Sequence, residues 1–359
     1  MTKKRSKKAK LMAISSGKGG VGKSNIATNL GISFANAGHK VCLFDADINL
    51  ANINILLGLS PLYTLQHLFT ENKSLDDIII QGPSNMDIIA GASGVTEFTH
   101  LKKNQQQYLL NGLQELESNY DYLIIDTAAG VDDTVLNFLH AVPYLILTIT
   151  REPTSLTDAF SLLKVLKKQG YNRTVLLIIN MVSGRKMAKQ IFTRFNEAVS
   201  KYLQLEVRLA GFIISDEMVS RAVEKQQALL EYAPNSSASI CIESIAMRLL
   251  KVFEKSHPSE TVLTDFFATL ITQDSGPERI DDLLMKAGQL EETQAKELYE
   301  LLKIRFNHVK QHTIAAENTL IKARSKNPHV SMTTHKLTQA SFIDKGLKQA
   351  MQLAARIGK

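Results

Sequence analysis

Between the apolar run Leu11-Met12-Ala13-Ile14 and a helical pattern that begins at Asn25 lies Gly17-Lys18-Gly19-Gly20-Val21-Gly22-Lys23-Ser24. In the form Gly-x-x-x-x-Gly-Lys-Ser, this stretch offers unobstructed backbone N–H groups, a cation for the β- and γ-phosphates of a nucleotide, and a hydroxyl for Mg²⁺. A glycine-rich turn that contains a lysine can be no more than a turn. The strand-like run before it, the helix after it and Lys23-Ser24 at its end favour a phosphate cradle. A second lysine, Lys18, lies inside the loop. An ordinary phosphate loop needs no cation there, so Lys18 either stays in solvent or points at phosphates from another direction, such as those of a partner subunit.

The carboxylates come next. Asp45 and Asp47 follow the run Lys40-Val41-Cys42-Leu43-Phe44, and Asp126 ends Leu123-Ile124-Ile125, immediately before Thr127-Ala128-Ala129-Gly130. Aspartates at strand ends are frequent turn formers. Three of them behind one phosphate loop favour a role in holding Mg²⁺, which neutralises charge developing on the phosphates.

Positioning such groups requires a frame, and the pattern supplies one. Apolar runs at 11–16, 40–45, 86–90, 121–126, 144–150, 174–180 and 208–214 read as strands buried on both faces. Helical stretches at 102–118, 155–169 and 185–203 lie between them, so the expected fold is α/β, a mostly parallel sheet with helices on both sides. Ligands of such sheets bind at the carboxyl ends of the strands.

The totals bound the class. At 359 residues with 44% hydrophobic content, the chain has room for a large α/β domain and an appendage. No run approaches the ~18 apolar residues of a spanning helix, and the basic start precedes a strand rather than a signal-peptide core, so a soluble intracellular protein is expected. Cys42 and Cys241, the two cysteines, make no disulfide framework and no Cys-x-x-Cys site. The net charge is +7: residues 1–10 hold six Lys/Arg and no acid, and residues 303–359 hold eleven against Glu317 and Asp344. Taking that +6 and +9 from the total leaves −8 for residues 11–302. Basic ends on an acidic body are either solvated arms or contacts for an anionic membrane or nucleic acid.

These residues resemble a known family. The loop with its extra Lys18, the stretch Asp45-Ala46-Asp47-Ile48-Asn49-Leu50-Ala51-Asn52 and Asp126-Thr127-Ala128-Ala129-Gly130 are similar to the deviant Walker A, A′ and switch II motifs of the MinD/ParA ATPases. Within that family the likeness is strongest to the branch of flagellar-number regulators, FlhG or FleN. It rests on Asn25, Leu50-Ala51-Asn52, Glu152-Pro153-Thr154-Ser155-Leu156-Thr157-Asp158, and Ser215-Asp216-Glu217 leading into Arg221-Ala222-Val223. It covers residues 11–250. The resemblance implies an ATPase that uses ATP and Mg²⁺, dimerises with ATP and hydrolyses it slowly as a dimer. Lys23 and the loop amides would hold the phosphates, and Ser24, Asp45 and Asp126 the Mg²⁺. Asp47 and Asn52 would position the attacking water, and Gly130 would offer its amide to the γ-phosphate. Lys18 would cross into the partner's site, and Glu152 would reach the partner's nucleotide. Asn180 would read adenine, or else simply cap its strand. The implied partners are a second copy of the chain and flagellar proteins: an FlhF-type GTPase, a switch complex or a transcription regulator. Two departures stand out. Met1-Thr2-Lys3-Lys4-Arg5-Ser6-Lys7-Lys8 replaces the glutamine-containing helix with which the branch stimulates its GTPase, and Asn49 stands where the branch has glycine.

The family ends near residue 255, which divides the chain into a basic tail (1–10), an ATPase domain (11–255) and a helical extension (256–359). Ser256-His257-Pro258-Ser259 and Asp274-Ser275-Gly276-Pro277 read as breaks, with helical pattern between and after them. His308, His312, His329 and His335 form no tight ligand cluster. In residues 342–359, Phe342, Ile343, Leu347, Met351, Leu353 and Ile357 fall on one half of a helix, and Lys345, Lys348, Arg356 and Lys359 on the other. This basic amphipathic helix either docks on the core or anchors the protein to the inner face of the cell membrane. The leading expectation is therefore an ATP-switched spatial regulator, cytoplasmic and peripherally membrane-associated. The competing classes are a ParA-like DNA or cargo partition ATPase, an iron–sulfur carrier, disfavoured because Cys-x-x-Cys is missing, and a binding module with a vestigial site.

Overall fold

A computed structural model describes residues 9–46, 52–65, 67, 71, 73–90, 103–255 and 264. The chain divides into two units, 1–274 and 275–359, and all described residues belong to the first. Residues 1–8 of the expected basic tail 1–10, Asp47, nearly all of 256–359 and the amphipathic stretch 342–359 lie outside the described residues, while Lys10 of that tail opens the first strand.

Eight strands form one sheet in the order β3-β4-β2-β5-β1-β6-β7-β8. They are β1 (Lys10–Ser15), β2 (Val41–Ala46), β3 (Ile79–Gln81), β4 (Asp87–Ile89), β5 (Tyr122–Thr127), β6 (Tyr144–Thr150), β7 (Val175–Val182) and β8 (Val207–Ile214). Every pairing is parallel except β3 with β4. All seven expected strands are present. The eighth, β3, escaped the sequence pattern because three residues give periodicity nothing to repeat.

The helices are α1 (Lys23–Asn36), α2 (Asn52–Leu57), α3 (Leu75–Ile78), α4 (Lys103–Asn119), α5 (Asp133–Ala141), α6 (Pro153–Lys168), α7 (Arg185–Leu203), α8 (Glu217–Glu224), α9 (Leu229–Tyr232) and α10 (Ser237–Lys255). They bury the sheet on both faces. On one face Leu113 of α4, Leu136 of α5, Leu162 of α6 and Phe195 of α7 pack on Ala13, Ile125 and Leu147. On the other, Leu30 and Phe34 of α1 and Ile245 and Leu249 of α10 pack on Met12, Ile14 and Ile124. Residues alternating along β1 therefore serve opposite cores, and this is why the strands read as unbroken apolar runs. Each such side chain, fully buried, contributes about 1.5–3 kcal/mol of transfer free energy.

The strand order turns round at β1. From β1 the chain goes one way to β2, and later β6, β7 and β8 build out the other way. Such a switch point opens a crevice at the carboxyl ends of the strands. The turn from β1 into α1 sits there.

Candidate functional site

The turn's geometry leaves its amides for a ligand. Gly22 caps α1 with φ 89°, a left-handed backbone that glycine adopts without steric cost, and no side chain caps the helix. The first turn of α1 carries no acidic residue. An N-terminus that lacks both a cap and an internal anion is suited to external phosphate. The loop is held from two sides. A Cβ on Gly17 would lie 2.1 Å from the backbone carbon of Asp158, so α6 packs directly on it. Asn180, at the end of β7, donates from Nδ2 to the Val21 carbonyl at 2.8 Å. Gly19 and Gly20 face open space. Lys23 is buried beside these groups.

Asp45 and Asp126 occupy adjacent strands in register and are both fully buried. Asp45 Oδ2 accepts a hydrogen bond from Ile53 N at 3.4 Å, which ties β2 to α2. Carboxylates on directly paired residues of strands about 5 Å apart repel unless a cation lies between them. The donor set of Asp45, Asp126 and the Ser24 hydroxyl is all hard oxygen and leaves most of a coordination sphere to water and phosphate. That fits Mg²⁺, which binds through one or two carboxylates plus substrate oxygens.

Several expected roles meet a different local geometry. Gly130, expected to offer its amide to the γ-phosphate, has φ 106° and donates that amide to the Ser16 carbonyl at 3.0 Å. Ser16 Oγ donates in turn to the Lys18 carbonyl at 2.7 Å. The segment after β5 is thus latched to the loop, and the Gly130 amide must leave Ser16 before it can serve a phosphate. Lys18 is not free in solvent. Its Nζ donates to Glu152 Oε2 at 2.5 Å and to Thr154 Oγ1 at 3.0 Å, with the lysine side chain 38% and the glutamate side chain 57% exposed. Glu152, expected to reach the partner's nucleotide, here holds its own chain's lysine. The hydrogen bond from Lys18, and then its charge, keep the Glu152 carboxyl below its usual range. Glu152 is the N-cap residue of α6 but its side chain makes no capping hydrogen bond, so it is available to Lys18.

Asn180, expected either to read adenine or to cap its strand, makes strand-end contacts on both sides of its amide. While its Nδ2 holds Val21, its Oδ1 accepts from Met181 N at 2.9 Å. Asn25 accepts from Asn29 Nδ2 through its carbonyl at 2.8 Å and its Oδ1 at 3.3 Å, and Asn29 Oδ1 accepts from Leu230 N at 2.9 Å. Ser16, Thr154 and Asn29 are site residues that sequence reasoning missed, because each acts through a contact distant in the chain. Asn52 opens α2, but its side chain, like the whole of Asp47, lies outside the described residues.

A phosphate loop, two buried carboxylates and a loop lysine at the switch point of a mainly parallel sheet define a nucleotide hydrolase of the P-loop class. A family model described as an AAA domain matches residues 9–176. The chain is 35% identical over 239 residues to the antiactivator FleN of Pseudomonas aeruginosa, covering 67% of this chain and 85% of that protein. It is 32% identical over 246 residues to the flagellum site-determining protein YlxH of Helicobacter pylori, covering 68% and 83%. The septum site-determining protein MinD of Pyrococcus horikoshii, solved with Mg-ADP, shares the fold with a TM-score of 0.55 at 23% identity, over 68% of this chain and 97% of that one. The protein belongs to the MinD/ParA ATPases, close to FlhG/FleN, and it is an ATPase.

Proposed function

We propose that this ATPase controls the number or placement of flagella by cycling between an ATP-bound homodimer and an ADP-bound monomer. The single observation that carries the dimer is Lys18. It sits on the phosphate loop, donates to Glu152 and Thr154 at the start of α6, and lies in an exposed ion pair with Glu152. An exposed pair of this kind is worth less than about 1 kcal/mol, so nucleotide phosphates facing it from a second protomer can claim the lysine. The flagellar assignment is supported by the two relatives above, whose names concern flagella.

Catalysis in this account is positioning and charge neutralisation. Loop amides and Lys23 hold the β- and γ-phosphates. Mg²⁺ held by Ser24, Asp45 and Asp126 supplies charge neutralisation when bound. Asp47 and Asn52 position the water, and Gly130 leaves Ser16 to meet the γ-phosphate. Between α6 and α7 lie two pockets that share Leu156 and Arg194, one reaching Arg151 beside Glu152 and the other Tyr202. They give a regulated partner access to the switch; an FlhF-type GTPase, a switch-complex component and a transcription regulator are the candidates. The basic amphipathic stretch 342–359 recruits the ATP dimer to the anionic inner face of the cell membrane, two weak helices binding together through avidity. The alternative, a ParA-like partition ATPase, would place DNA on the basic ends and lose affinity steeply with salt.

The test combines chromatography with cell counts. Wild type should elute as a dimer with ATP and as a monomer with ADP, and Lys18→Ala should bind nucleotide as a monomer only. Cells lacking the gene should depart from the normal flagellar number or position. A normal ATP dimer of Lys18→Ala, or unchanged flagellation, defeats the corresponding half of the proposal. For the membrane, the full chain should pellet with anionic liposomes in ATP, and a chain ending at Ala340 should not.

A further inference from the structure

Outermost in the sheet, β8 pairs with β7 on one side, and among the described residues no strand lies on the other. α7 and α10 flank this edge from the two faces and leave a groove of about 570 Å³. Half-buried Phe192, Leu209 and Phe212 form its floor. Its rim is Arg185, Lys189 and Arg248, and among the described residues no carboxylate lines it and none of the three cations is in an ion pair. This concentration of positive charge sits on a body that carries −8. Arg248 Nη1 donates at 2.7 Å to the carbonyl of Ala210, the β8 residue that the pairing with β7 skips at a register shift. The other N–H groups of its guanidinium remain available to an anion.

We propose that this groove is a docking site for an extended acidic segment of another protein, which adds as a strand beside β8. An unpaired edge presents main-chain donors and acceptors that only another main chain can meet as a set, so a lipid tail does not suit it. The apolar floor takes the alternate side chains of a strand, and the cationic rim selects carboxylates among the rest. A nucleic acid would use the cations but leave the aromatic floor unfilled. The chain's own basic ends have the wrong charge. Beyond α10, the described residue Thr264 donates from its N to Glu117 Oε1 of α4 at 2.8 Å.

The two cysteines make the test direct. Cys241 lines the groove and is partly exposed, whereas Cys42 is fully buried and its thiol is pushed up by burial and then by Asp87. Alkylation of the folded full chain by N-ethylmaleimide therefore reads Cys241, and modification of Cys42 reports unfolding. The probe is a capped eight-residue peptide alternating valine and glutamate. At saturation it should slow alkylation of Cys241 about tenfold, and Lys189→Glu should weaken its binding by about tenfold, as expected for turning an attractive rim pair into a repulsive one. A valine–lysine peptide, a peptide with proline at alternate positions and a short DNA duplex should give no protection. The proposal is overturned if the acidic peptide fails to protect, if the lysine or proline peptide protects equally, or if DNA protects in its place.

Discussion

The bracing of the phosphate loop by β7 gives a prediction whose size follows from the structure. Gly22→Ala places a Cβ 2.6 Å from Asn180 Nδ2, at a backbone φ of 89°. The left-handed conformation costs a residue with a side chain about 1–2 kcal/mol. Relief of the contact pushes Asn180 off the Val21 carbonyl and loses a buried hydrogen bond, about 1 kcal/mol net. The single change should therefore destabilise the domain by about 2–3 kcal/mol. Asn180→Ala loses the same bond, about 1 kcal/mol, and strands the Val21 carbonyl. In the double variant that bond can be lost only once and the new methyl has room. The double should cost less than the sum by about 1 kcal/mol or more, whereas independent sites add within roughly 0.3–0.5 kcal/mol. Urea unfolding of the four proteins, followed by far-UV circular dichroism because the chain has no tryptophan, measures the cycle. A fluorescent ATP analogue should bind Gly22→Ala weakly and recover in part with the double variant. An additive double variant would refute the idea that Asn180 and Gly22 share one contact.

The other predictions are shorter. Gly17→Ala drives its Cβ into the backbone of α6, while Gly19→Ala meets nothing within 4 Å, so the first should lower the melting temperature sharply and the second leave it nearly unchanged; equal shifts would contradict the packing described. Asp216 caps α8 through Met218 N at 3.0 Å and also accepts from Ala238 N at 3.1 Å. Burial tends to raise its pKa, but these backbone hydrogen bonds outweigh it and lower the pKa overall. The stability that follows from a lowered pKa is present above the ordinary aspartate range and lost as pH falls through the lowered value. Asp216→Ala should therefore cost about 1–2 kcal/mol near neutrality, and the difference from wild type should shrink in acid; a gap that widens there would be wrong for this cause. Asp47→Ala should retain ATP binding and accumulate the ATP dimer; a wild-type turnover rate would remove Asp47 from the role of positioning water.

Much of the frame was legible because the strands are buried on both faces, and residues such as Leu43, Ile124 and Ile178 leave unbroken apolar runs that only a doubly covered sheet explains. The loop was legible because phosphate binding constrains a contiguous segment. The contacts that set its resting state were not, since they join residues far apart in the chain. Lys18 meets Glu152 134 positions away, and Asn180 meets Val21 at a separation of 159. The family resemblance implies that Lys18 and Glu152 face a partner subunit. The fold, placing α6 against the loop at Gly17, brings the two together within one chain. The same proximity assigns the Gly130 amide to Ser16, a residue that carries no motif of its own.

The central claim is that hydrolysis belongs to the dimer, and the most direct measurement is ATP turnover per protomer as a function of protein concentration. The account predicts that turnover rises with concentration and then saturates as dimers fill, and that Lys18→Ala stays at the low monomer level throughout while still binding Mg-ATP. Turnover per protomer that is independent of concentration, with Lys18→Ala equal to wild type, would contradict it.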